Sequence, residues 1–340
     1  MVIVRNRRAD WVAVIFGFMA VLGCGKEPPP AVETAGSERT APVNESAQSG
    51  TIGLSVLTLT NPFFKVIADT VKEEAAKHGF DALVVSGEFD VALQRNQVKD
   101  FIVKKVSAIV LTPCDSKAIG PAIQEANEAG IPVFTADIAC LAEGIKVVSH
   151  IATDNYEGGR LAARAILERL NGKGKVAVVD FPEVESVIMR TRGFFDELKQ
   201  VEHQLEIVGS WSGKGSKDES FKVTQEILQS HPDLNGIFAI NDPTALGAYA
   251  ALEIAKKADR VTIVGFDGQP EGKKAIAEGK IYADPIQFPD EIGRVTVRAI
   301  IRYFEGEEVE PEILIPTKLY YQADAEKDPE LAQIQGHTTN

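Results

Sequence analysis

Polar residues gather just behind the apolar runs of this 340-residue chain. Asn61, Asp137, Thr153 with Asp154, Asn241 with Asp242, Asp267 and Gln287 each follow such a run, and Arg190 lies beyond the run Val176–Val179. Carboxylates and amides accept and donate in planar pairs, and a guanidinium adds a rigid fork of donors. Phe63 and Phe64 stand beside the first of these residues and offer apolar rings to C–H faces. The set suits a neutral polyol with vicinal hydroxyls, each charge-assisted bond contributing roughly 1.5–3 kcal/mol. Taken singly, several of these residues also have a plainer reading. Asn61 and Asp242 precede prolines and would cap helices, Phe63 and Phe64 would anchor a core, Arg190 would be a solvated charge, and Asp267 a turn residue in Gly-Phe-Asp-Gly.

Other chemistries find little support. No Gly-x-Ser-x-Gly elbow occurs, and Gly209 through Lys214 falls one residue short of a phosphate loop and is followed by Gly215 rather than Ser or Thr. Gly172 through Ala177 resembles half a dinucleotide fingerprint but precedes a strand where it should follow one. No specific carboxylate pair for glycoside hydrolysis stands out. Three cysteines and five histidines, with no two histidines at ligand spacing, leave no structural metal and no cofactor to expect. With 36 basic against 49 acidic residues and a net charge of −13, the chain would grip a polyphosphate backbone against its own field, so nucleic acid is not an expected partner. A non-enzymatic binding protein is the expectation.

The elements that must hold these residues alternate in type. Ile52–Thr58, Ala82–Val85, Ala108–Leu111 and Pro132–Thr135 read as strands. Between the first two, Phe64, Ile67, Ala68, Val71 and Ala75 make one helical stripe. A second series runs Lys175–Val179, Gln204–Val208, Gly236–Ile240, Val261–Phe266 and Lys280–Ile286, with a helix over Thr244–Lys256. The break near His150–Asn155 divides the body into two similar, doubly wound, Rossmann-like α/β lobes. Ligands of such sheets sit outside the carboxyl ends of the strands, where the polar residues gather.

The first residues belong to no lobe. Arg5, Arg7 and Arg8 precede an apolar run from Trp11 to Leu22, shorter than the roughly twenty residues a bilayer span needs. Residues 1–23 therefore read as a signal peptide, and Val21-Leu22-Gly23-Cys24 resembles a lipobox, with Cys24 the lipidated residue. Residues 24–50 are rich in Pro, Ser, Thr, Ala and Glu and read as a flexible tether. The expected location is periplasmic or cell-surface, on a membrane-anchored lipoprotein.

Across residues 51–322 the chain resembles the periplasmic binding proteins of sugar ABC transporters, in particular the ribose-binding branch. The matching segments include Asn61-Pro62-Phe63-Phe64, Val147 through Asn155, Arg190 with Gly193-Phe194, Phe238 through Asp242, Val264 through Gly268, and Gln287-Phe288-Pro289-Asp290. The resemblance implies sugar-bonding roles for Asn61, Asp137, Arg190, Asn241, Asp267 and Gln287, a ring sandwich from Phe63 and Phe64, and a small hydroxyl residue, Thr153, at the lobe crossover. It further implies a three-strand hinge around a ligand cleft. The lobes would comprise 51–153 plus 288–316 and 154–287 plus 317–325, with 326–340 a C-terminal tail. The expected partners are a monosaccharide or polyol and an ABC permease in the cytoplasmic membrane, for a monomeric protein, with delivery to a chemoreceptor or histidine kinase as the alternative. Two departures stand out. Ile138 follows Asp137 where the ribose-binding pattern has arginine, which puts ribose itself in doubt, and Trp211 is a candidate aromatic wall from the second lobe. Cys114 and Cys140 each follow a strand and could pair or remain two buried thiols.

Overall fold

The computed structural model describes residues 50–332. The signal segment, Cys24 and the tether up to residue 49 lie outside it, as does the end of the tail from 333. The described chain begins with β1 (Gly50–Val56), α1 (Pro62–Lys77), β2 (Phe80–Ser86), α2 (Val91–Val103), β3 (Ala108–Leu111), α3 (Gly120–Glu128), β4 (Val133–Ala136) and β5 (His150–Thr153). A second series follows with α4 (Asn155–Arg169), β6 (Lys173–Asp180), α5 (Glu185–Gln200), β7 (Gln204–Ser212), α6 (Lys217–Ser230), β8 (Gly236–Ala239), α7 (Asp242–Ile254), β9 (Thr262–Val264), α8 (Pro270–Ala277) and β10 (Ala283–Ile286). Then come α9 (Pro289–Phe304), β11 (Glu312–Ile315), β12 (Lys318–Tyr321) and α10 (Gln322–Ala325).

Two six-stranded sheets result, ordered β11-β5-β4-β3-β1-β2 and β12-β10-β9-β8-β6-β7. All pairs are parallel except β10 with β12. β3, β4 and β8 are buried at every position, as parallel strands covered by helices on both faces must be. Each fully buried Val, Ile or Phe of these strands contributes about 1.5–3 kcal/mol of transfer free energy.

The chain passes between the sheets three times: from β5 into α4, from β10 into α9, and from β11 into β12. Hydrogen bonds tie these crossings together. Asp154 N–H donates to the Ile315 carbonyl at 2.9 Å, and Thr317 Oγ1 donates to the Ile286 carbonyl at 2.7 Å.

Local sequence explains how the site helices start. Asn61 caps α1 by accepting from Phe63 N–H at 3.0 Å, with Pro62 at the first helical position, where its missing donor costs nothing. In the second lobe the cap is Asn241, which accepts from Thr244 N–H at 2.9 Å. The sequence expectation of Asp242 as the cap is one residue late; Asp242 already has helical backbone, and its carboxylate accepts from Gln269 N–H instead.

Several strands differ from expectation. The strand expected at Gln204–Val208 runs on to Ser212, while those expected at Val261–Phe266 and Lys280–Ile286 contract to β9 and β10. No periodicity marks β5, β11 or β12, because each is only four residues long. Gly50, assigned to the tether, opens β1. The first residues of the assigned tail are packed: Leu331 is buried in the second lobe, and Asp328 accepts from Tyr320 Oη at 2.9 Å.

α4 and α5 pack at backbone distance. A β-carbon at Gly159 would fall 1.9 Å from the Arg190 carbonyl oxygen, and one at Gly193 would fall 2.0 Å from that of Tyr156. Gly159→Ala is therefore expected to cost about 1–3 kcal/mol or more through overpacking. Urea unfolding at neutral pH reads this directly, and a midpoint equal to the parent's would contradict the packing described.

Candidate ligand-binding site

The strand carboxyl ends of the two sheets face one narrow pocket with a cavity volume of about 30 Å³. Asn61, Phe63, Phe64, Asp137 and Ile138 line it from the first lobe, and Arg190, Asn241 and Asp267 from the second. Gln287 reaches it from the crossing after β10.

Arg190 is the most constrained of these groups. It is 3% exposed; its Nε donates to Asn155 Oδ1 at 2.8 Å and its Nη1 to the Ile240 carbonyl at 2.7 Å. The same Nη1 reaches Asp267 Oδ1 at 3.2 Å, and the guanidinium lies 3.8 Å from the centre of the Phe266 ring. Gln287 Nε2 donates to that Asp267 oxygen at 2.6 Å. Asn241, besides capping α7, donates through Nδ2 to the Gly215 carbonyl at 3.2 Å. The capping and pocket-lining readings of Asn61 and Asn241 are thus compatible: one oxygen closes the helix while the residue borders the cavity.

Electrostatically the pocket is short of positive charge. Asp137 is 2% exposed, and burial pushes its carboxyl up to about 7; Arg190 opposes the shift while Asp267 and Glu185 add to it. Asp267 is raised to about 6 by burial, against the pull of Arg190 and Gln287. Asp137 Oδ1 and Gln287 Oε1 are buried with no hydrogen-bond partner among the described residues. Buried acceptors are rarely left so, and two of them beside one cavity point to donors supplied from outside the chain.

The aromatic contribution differs in part from expectation. Phe63 and Phe64 stand edge to face at 5.2 Å and 87°. The second lobe supplies Phe181, not Trp211. Trp211 lies on β7 at the sheet edge, edge-on to His231 at 5.9 Å, whereas Phe181 immediately follows β6, which is flanked by strands on both sides. An aromatic directly after a strand was the available signal for Phe181. Val184, Ser186 and Val187 also line the pocket, and no residue-type argument marks them. Thr153 lies outside the pocket, beside a separate crevice with His150, Glu185 and Glu312. Cys114 and Cys140 are both free; burial pushes the Cys114 thiol up to about 12.

A family described as periplasmic binding protein domain matches residues 52–308. The chain belongs to the periplasmic binding protein family. It is 36% identical over 269 residues to the ribose import binding protein RbsB of Salmonella typhimurium, covering 79% of this chain and 90% of that one. It is 38% identical over 228 residues to the D-apiose import binding protein of Paraburkholderia graminis, covering 67% and 72%. A solved ABC transporter solute-binding protein of Agrobacterium vitis with bound D-fucose is 30% identical, with a TM-score of 0.77 over 83% of this chain and 99% of the other. The two lobes and their three crossings are therefore the scaffold of a type I periplasmic binding protein.

The raised carboxyls fix a pH dependence. Asp137 binds its proton more tightly folded than unfolded, so its contribution favours the fold at low pH and is lost as pH rises toward about 7. Asp137→Asn, a change that suits its φ of 64°, should raise the urea midpoint relative to the parent at pH 8 but not at pH 4. An equal difference at both pH values would mean that ionisation of Asp137 is not involved.

Proposed function

We propose that the protein is the substrate-binding component of a sugar ABC importer, taking up a monosaccharide or small polyol between its lobes and presenting it to a permease in the cytoplasmic membrane. The observation that carries this reading is the pair of buried, unpartnered acceptors, Asp137 Oδ1 and Gln287 Oε1, beside one pocket with the Arg190–Asp267 pair and the Phe63–Phe64 rings. Hydroxyl donors satisfy those acceptors, and ring C–H groups meet the aromatic edges. The names of the relatives, import binding proteins for ribose and D-apiose and a protein crystallised with D-fucose, support the same class of ligand.

The binding roles extend to Asn61 and Asn241, which border the cavity with amide groups. Closure works by hinge motion of residues 51–153 plus 288–316 against 154–287 plus 317–325. A sugar bonded to both lobes favours the closed state by its differential affinity, the only means by which a ligand shifts such an equilibrium. The lobes already touch beside the pocket: Ser116 N–H donates to the Glu183 carbonyl at 3.0 Å, and Glu185 N–H donates to Ser116 Oγ at 2.8 Å. Export through residues 1–23, lipidation at Cys24 and a tether would hold this monomeric receptor near its permease.

Ile138 bears on which sugar is bound. It is buried beside Asp137 and offers no donor, so the sugar position facing it gains apolar contact and loses a partner for a hydroxyl. D-ribose is therefore expected to bind more weakly than the best sugar of a calorimetric panel that includes D-allose, D-fucose and myo-inositol, and Ile138→Arg should favour ribose. Mass spectrometry of the molecule retained on purification identifies the natural ligand.

Asp267→Ala removes the acceptor shared by Arg190 and Gln287, and Arg190→Ala leaves Asp267 buried without a countercharge. Either change is expected to weaken binding by about 100-fold or more, equivalent to two charge-assisted bonds. Calorimetry with the best-binding sugar, alongside circular dichroism for the fold, checks this. Parent-like affinity in a folded variant would remove the site assignment, and a parent that binds no sugar or polyol would remove the function.

A further inference from the structure

The second lobe buries more acid than its ligand pocket uses. Asp242 at the start of α7 is 2% exposed and Asp284 in β10 is 0% exposed, and neither lines the pocket. Asp267, itself 2% exposed, is the third carboxylate of the group. Among the described residues, the one cation bonded to this group is Arg190, and its contact goes to Asp267. Asp242 Oδ2 accepts from Gln269 N–H at 2.6 Å, but Asp242 Oδ1 and both oxygens of Asp284 have no partner among the described residues. The backbone near Gly265 and Gly268 approaches Asp284 without closing a hydrogen bond.

The two orphaned carboxyls nevertheless lie beside each other, close enough for a side-chain hydrogen bond once one of them is protonated. Two carboxylates at that separation in a dry site cannot both be ionised, and neither can donate unless one of them carries a proton. Their walls are backbone. A β-carbon at Gly272 would fall 1.9 Å from Asp242 Oδ1, and one at Gly265 would fall 2.5 Å from Asp284 Oδ1, so glycine at these places lets the main chain close over the pair. Asp242 thus grips the loop at Gln269 while Asp284 abuts it at Gly265, and Asp267 projects from the residues between.

We propose that Asp242 and Asp284 share one proton, and that this shared proton positions loop 265–269 and with it the pocket residue Asp267. Asp242 and Asp284 are positioning residues, since they act through a neighbour. The direction of their titration agrees: burial first, then neighbouring carboxylates, raises Asp242, and burial raises Asp284 to about 7. Loss of the proton would set three negative charges against the single guanidinium of Arg190 and push the loop apart. Ligand affinity should then fall on the alkaline side. The acid side belongs to Asp137 and Asp267, which stop accepting as they protonate.

The first half of the proposal stands without any ligand, and the second rests on the sugar-binding reading. Infrared difference spectra of the purified protein at pH 7, parent minus Asp284→Asn, should show the carbonyl stretch of a protonated carboxylic acid; no such band in this spectrum or in parent minus Asp242→Asn overturns the shared proton. For the second half, calorimetry with the best-binding sugar of the panel should show the parent's affinity falling about tenfold or more between pH 7 and pH 9.5. Asp284→Asn, which keeps a donor at any pH, should flatten that limb, and Asp284→Ala should lower affinity already at pH 7. A parent with no alkaline fall, or an Asp284→Asn variant that falls in parallel with it, overturns the positioning role. If Asp284→Asn fails to fold, Asp242→Asn provides the same comparison from the other side of the pair. A parent that binds no sugar at any pH would strike the sugar-binding reading and leave the infrared result to decide the rest.

Discussion

A buried guanidinium is the piece on which the second lobe turns. Arg190 meets Asn155 at the start of α4, the carbonyl of Ile240 after β8, and Asp267 after β9, with Phe266 against its face. One side chain therefore holds a hinge exit and two strand ends in register. Such an arrangement is weak evidence for stability, because desolvating the pair offsets much of its attraction. Its effect is geometric: a charge that cannot leave its partners without large cost fixes the loops around it. The close approach of α4 and α5 serves that placement, since Gly159 lies under the backbone of Arg190 itself.

Much of this was legible in the sequence for a common reason. The end of a parallel strand leads into a helix start, so one stretch of chain carries the β-branched run, the capping residue and the pocket residue together. Asn61 and Asn241 were visible on that account, and the same geometry explains why cap and ligand roles could not be separated by type alone. What stayed hidden depends on strand order. Trp211 and Phe181 each belong to a strand or its end, but only tertiary pairing puts β7 at an edge and β6 inside. Val184, Ser186 and Val187 reach the pocket because α5 begins there, and small or apolar residues at a helix start look like any others. Asp284 lies inside a stretch read simply as a strand, and its residue type does not reveal the neighbours it meets there.

The acidic balance of the chain, −13 overall, acquires a more specific meaning. Asp137, Asp242, Asp267 and Asp284 are all at most 2% exposed, and burial raises every one of them. These groups oppose folding at neutral pH, as strained elements at functional sites commonly do, and the apolar interior of the two sheets must offset them.

In the proposed function, the same opposition would give the cleft its switch. Asp137 Oδ1 and Gln287 Oε1 have no hydrogen-bond partner among the described residues, and each orphaned acceptor costs about 1–3 kcal/mol where water is excluded. An open cleft would hydrate both, so the penalty falls on the empty closed form alone. Two such groups would bias the ligand-free protein toward opening by about 2–6 kcal/mol, a factor from tens to tens of thousands in population. A ligand hydroxyl at each acceptor removes the penalty only in the closed state. On the proposed sugar-binding reading, affinity and closure would come from the same two atoms, and a pocket fully satisfied by its own side chains would close without waiting for a ligand.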